Sequence, residues 1–121
     1  MEIKVIKMES QNIAVVSSED IIINNVQDSL DLMATVRHNY DCDKVVINKK
    51  NITEDFFELK TCIAGEIMQK YMNYGMALAI IGDFEKYNSK SLKALIYESN
   101  KGNKIIFKST EAEALKSLCS A

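Results

Sequence analysis

The run Met76-Ala77-Leu78-Ala79-Ile80-Ile81-Gly82-Asp83 constrains this chain more than any other stretch. Its apolar residues fall at both odd and even positions, so a strand built from it must be covered on both faces. Strands of that kind lie inside parallel sheets, and parallel neighbours need crossover connections long enough to hold a helix. Val45-Val46-Ile47 and Ile105-Ile106-Phe107 read the same way. The expected class is therefore α/β, with these strands interior and helices between them.

The flanking segments supply the rest. Glu2 to Met8 alternates Ile3 and Val5 against Glu2, Lys4 and Lys7, the period of a half-buried strand. A short polar link, Glu9-Ser10-Gln11-Asn12, then leads to Ile13-Ala14-Val15-Val16 and predicts a hairpin. Asn24 with Gln27 resembles a capping box, opening a helix whose face takes Val26, Leu30, Met33, Ala34 and Arg37, widened by Leu32, Val36 and Tyr40. Thr53, followed by Glu54 and Asp55, predicts a second start and a helical stretch to about Tyr74. Gly65 inside it marks either a tight contact with the sheet or a break near Lys60. Gly75 ends the helix in the left-handed region. Ser89 or Ser91 caps a third helix reaching Asn100, and Thr110 to Leu118 forms a fourth. The order is ββαβαβαβα in a single domain, 1–121. It predicts a five-stranded mixed, mostly parallel sheet in chain order, with only Glu2 to Met8 antiparallel to its neighbour.

Composition narrows the function classes. A formal net charge of -2 gives no electrostatic reason to expect nucleic acid or an anionic membrane as partner. Lys49 and Lys50 read as a solvated loop. No apolar run approaches the roughly 20 residues that span a bilayer. Cys42, Cys62 and Cys119 show no CxxC spacing and no secretory leader opens the chain, so reduced thiols in a cytoplasmic protein are expected. His38 is the only histidine, and no metal site, nucleotide loop or other cofactor motif is present.

Among polar residues Asp83 stands out. It lies just past the end of the clearest parallel strand, where open α/β sheets bind ligands, and Gly82 before it permits close approach. Asn48, Ser89 and Ser109 belong to the same polar edge, so a small-ligand or enzyme site would be built from these four. The competing reading makes Asp83 ordinary turn chemistry.

Phe56-Phe57-Glu58-Leu59-Lys60-Thr61, Ala64-Gly65-Glu66-Ile67, Gln69-Lys70 and Asn73-Tyr74 resemble the central signature of a bacterial family, domain of unknown function 4180. Leu78 to Phe84, Ser91-Leu92 and Glu98-Ser99-Asn100-Lys101-Gly102 continue the resemblance, which implies no activity. The whole chain also resembles STAS domains, the fold of anti-sigma factor antagonists, through its opening hairpin, the strand-loop-helix at Val45 to Ile67, Gly75 and Glu113-Ala114-Leu115. That resemblance implies strands stacked in chain order and a phosphoacceptor at the start of the second long helix. The acceptor position falls on Lys60 or Thr61, and neither has the preceding Asp or the following Gly of the motif.

The preferred reading is thus a non-enzymatic protein-interaction or regulatory module. The alternative is a small-ligand-binding domain or enzyme around Asp83. Because chain-order crossovers place their helices on one side of the sheet, the other apolar face needs cover. A second copy in a homodimer is the expected cover, with folded-over termini as the other solution.

Overall fold

The computed structural model describes residues 1–119. Strands β1 (Glu2–Met8), β2 (Gln11–Ser17), β3 (Lys44–Asn48), β4 (Ala77–Ile81) and β5 (Ile105–Lys108) form one sheet in the order β1-β2-β3-β4-β5. β1 pairs antiparallel with β2, placing Val5 opposite Ala14, and the other pairings are parallel. The topology expected from alternating strands and helices is the one found.

Helices α1 (Val26–Tyr40), α2 (Ile63–Asn73) and α3 (Lys90–Ser99) are the three crossovers. Their inward residues Leu32, Met33, Val36, Ile67, Tyr71 and Leu92 pack with Val45, Ile47, Leu78, Ile80 and Phe107, the residues of one strand parity. The opposite parity, with Ile13, Val46, Ala77, Ala79 and Ile106, is covered by Ala114 and Leu118 of α4 (Glu111–Cys119). The cover assigned above to a second copy is supplied by the chain's own last helix, so the apolar-face argument no longer calls for a dimer.

Two local expectations are corrected, and a third is decided between its alternatives. The α1 cap is Asn25 rather than Asn24: its side chain accepts from Asp28 N at 2.8 Å, and Asp28 Oδ2 accepts from Asn24 N at 3.0 Å. The capping box is thus closed by Asp28 one register later, and the buried face rotates to Ser29, Leu32, Met33 and Val36, leaving Ala34 and Arg37 exposed. The stretch from Thr53 is not one helix. It runs as tight 3-10 turns, Glu54–Phe57 and Leu59–Thr61, before α2 begins after Cys62, whose φ is 67°. Phe56 and Phe57 in the first of these turns are both buried, at 1% and 2% exposure, and their rings meet edge to face at 4.9 Å. Of the two alternatives drawn from Gly65, the tight contact is not found, since a Cβ there would meet nothing within 4 Å, whereas the break near Lys60 is, at the turn Leu59–Thr61 and Cys62.

Asn51, fully buried, ties the loop after β2 to the turn after β3. Its Nδ2 donates to the carbonyls of Ser18 and Asp20, both at 2.8 Å, while its main-chain carbonyl accepts from Ile22 N and Ile23 N. A buried amide replaced by a methyl leaves two carbonyls without their donor, a loss of about 1–3 kcal/mol. Asn51→Ala should lower the unfolding free energy by that amount, read as a lower urea midpoint at unchanged denaturant slope. Gly65→Ala should raise that free energy, by up to about 1 kcal/mol, because helix propensity is gained and no neighbour is displaced.

Candidate functional site

The strands β3 and β4 deliver their C-terminal ends side by side, with Asn48 opposite Ile81. Immediately beyond, Lys49 folds back over Gly82. A Cβ at position 82 would stand 2.8 Å from Lys49 Cβ, so the absent side chain is what lets the lysine lie down there. The Lys49 side chain is only 12% exposed, which corrects its reading as a solvated loop residue. Its Nζ sits 5.1 Å from the Tyr87 ring centre and 5.6 Å from that of Phe57, two rings stacked at 5.2 Å. It reaches Glu54 Oε1 at 3.2 Å, and the Tyr87 hydroxyl donates to Glu54 Oε2 at 3.0 Å.

The electrostatics follow from these contacts. Burial works against the Lys49 ammonium, but its contacts with Tyr87 and Glu54 outweigh that and hold it above the ordinary lysine range. Burial would likewise raise Glu54, yet the hydrogen bonds from Lys49 and Tyr87 hold its carboxyl below the usual carboxylate range. Burial, then the Glu54 carboxylate, push the Tyr87 phenol up. Lys49, Glu54 and Tyr87 form a charged, cation–π-supported tie between the turns after β3 and β4. Nothing in the sequence spacing marks this trio, because its members meet only through the parallel register.

Of the four polar residues singled out above, Asn48 and Ser89 are engaged as caps. Asn48 accepts from Lys50 N at 3.0 Å, and Ser89 accepts from Leu92 N at 3.1 Å at the start of α3. Asp83 is exposed and its Oδ1 accepts from Glu85 N at 3.0 Å, an Asx turn. Asp83 and Ser109 both line one open groove of about 420 Å³. One wall of the groove is a stripe of α3, Lys93, Ile96, Tyr97 and Asn100, at the i, i+3, i+4, i+7 spacing of one helix face. The other wall is Phe107, Lys108 and Ser109 at the end of β5, with Phe84 at the floor.

Asn100 joins the two walls. Its Nδ2 donates to Phe107 O at 3.0 Å and its Oδ1 accepts from Phe107 N at 2.7 Å. Lys60 and Thr61 lie far along the chain from this groove, in the last 3-10 turn before α2. Both are exposed, and the Thr61 hydroxyl lies 2.6 Å from Asp55 O and 2.8 Å from Glu58 O, accepting in turn from Ile63 N. Among the described residues no group of three His, Cys, Asp or Glu side chains could hold a metal, and no helix is long and apolar enough to cross a membrane.

This is a small α/β domain with a chain-order sheet and a helix–strand groove at one edge. Its sequence matches the family model for a domain of unknown function (DUF4180) over residues 8–118, and the chain belongs to that family. No curated protein and no solved structure matches it.

Two outcomes test the tie. Gly82→Ala should displace Lys49 and lower stability, read as a lower melting temperature with loss of the near-ultraviolet circular dichroism of Tyr87. Because the folded-state pKa of Glu54 is depressed, its contribution is present above the unfolded value of about 4.3 and lost as pH falls through the folded one. Glu54→Gln should therefore flatten the acid limb of the stability profile, by a small amount because the carboxylate is 64% exposed.

Proposed function

We propose that the protein is a non-enzymatic, cytoplasmic interaction module of STAS-like kind that contacts its partner through the groove between α3 and β5. The observation that carries this reading is the groove's make-up: a helix stripe, Lys93, Ile96, Tyr97 and Asn100, lining one open groove with the last residues of an edge strand. Tyr97 stands at its rim 66% exposed, and an amphipathic aromatic of that kind is the type that anchors protein interfaces. The titratable groups nearby point the same way. Lys49 is held protonated and Glu54 ionised, so neither is tuned to exchange a proton near neutrality as a general acid or base must be.

The STAS likeness is supported by the chain-order sheet and by the turn-rich passage from β3 into α2. By the STAS resemblance the phosphoacceptor position falls on Lys60 or Thr61, and of the two only Thr61 carries a hydroxyl. Here its hydroxyl is engaged by the turn it closes, so regulation is assigned to the groove rather than to phosphate on Thr61. A second reading, a small ligand held by Asp83 and Ser109, is favoured by their sharing one groove.

A photo-crosslinking benzoylphenylalanine at position 97, introduced in the native cell, should give a discrete protein adduct that the same probe at Met72 does not give. An adduct of twice the chain's mass would identify the partner as a second copy. No protein adduct, together with a co-purifying small molecule lost in Asp83→Ala, would replace this reading with the second. Thr61→Val should cost about 1 kcal/mol of stability, for the lost hydrogen bonds, and leave the position-97 adduct intact. Stoichiometric phosphate on Thr61 in protein from its native cell would contradict the assignment.

A further inference from the structure

Phe107 lies on the outermost strand of the sheet. Lys104 O and Lys108 O accept from Leu78 N and Gly82 N of the β4 side, so the odd-numbered residues between them turn their backbone groups outward. Those groups at Phe107 are closed by the Asn100 carboxamide, which donates to the carbonyl at 3.0 Å and accepts from the N–H at 2.7 Å. A neighbouring antiparallel strand offers the same donor and acceptor to a facing residue. A side-chain amide can fill one such place and cannot continue to the next.

We propose that the outer edge of β5 accepts an extended segment of another protein as a sixth strand, and that Asn100 is the placeholder that segment displaces. This rests on the interaction reading above and names its partner class. A strand added there runs along the groove, so its backbone pairs with Phe107 and continues beyond it. Every second side chain then faces Ile96 and Tyr97 on α3, the arrangement by which strand addition combines backbone affinity with side-chain selection. The segment is apolar at those alternate positions and carries acidic residues between them, because Lys101, Lys104 and Lys108 flank the edge, with Lys101 already shared with Glu98. The same lysines repel a second β5 brought up across a two-fold axis, which favours another protein's segment over a second copy.

The test uses random 12-residue peptides displayed on phage, selected against the intact protein and remade as soluble synthetic peptides. Selected peptides should lose binding in Tyr97→Ala. N-methylation at one alternating set of peptide residues should weaken binding at least tenfold, while methylation at the other set changes it little. On saturation the Asn100 carboxamide proton signals should move to solvent-exposed positions while the Phe107 amide stays protected from exchange. Peptides that need Tyr97 but ignore N-methylation and leave the Asn100 signals in place would overturn strand addition and spare the interaction reading. No selected peptides, or peptides indifferent to Tyr97→Ala, would overturn both.

Discussion

Everything in this molecule depends on covering a sheet whose interior strands are apolar on both faces. Val45, Ile47, Leu78 and Ile80 point to one side, and Val46, Ala77 and Ala79 to the other. Strands laid down in chain order through crossovers of one hand spend α1, α2 and α3 on the first side. Among the described residues, the segment after β5 reaches the second. The small residues Ala77, Ala79 and Ala114 let α4 approach the strands closely, and with Leu118 they leave that face dry.

With both faces closed, what remains for interaction is the rim of the sheet. Its β1 edge carries Lys4 and Lys7, a common device against unwanted strand pairing. The β5 edge is handled differently, by a side-chain amide from the end of α3. At the C-terminal rim the turns after β3 and β4 are tied through Lys49, Glu54 and Tyr87, and through Phe57, whose ring stacks on Tyr87 and meets Phe84 at a tilt. That tie holds the β4–α3 connection in place, and the connection supplies Gly82, Asp83 and Phe84 to the groove. Asn51 does the equivalent for the loop after β2.

The fold was legible because hydrophobic periodicity and turn residues are local signals. The double-sided runs placed β3, β4 and β5, and Ser89 and Gly75 marked a helix start and a helix end that the backbone respects. Two kinds of information were not legible. The passage from Thr53 to Cys62 has helical composition and a good cap, and Gly65 pointed to a break near Lys60, but neither signal distinguishes the 3-10 turns that the chain takes up to Cys62 from an α-helix. The groups that shape the rim meet only in three dimensions: Lys49 over Gly82, Glu54 beneath Tyr87, Asn100 against Phe107. Asp83 was visible from its place at a strand end, whereas its partner across the groove, the Tyr97 stripe, reads in sequence as an ordinary helix surface.

α4 is an integral layer of the fold and not an appendage. Native-state hydrogen exchange of the whole chain tests it directly. The amides of α4 from Ala114 to Leu118 should open only with those of β4, with one shared free energy and one shared denaturant dependence. Exchange of α4 at near-random-coil rates while β4 stays protected would contradict it, and would return the second face of the sheet to some other cover.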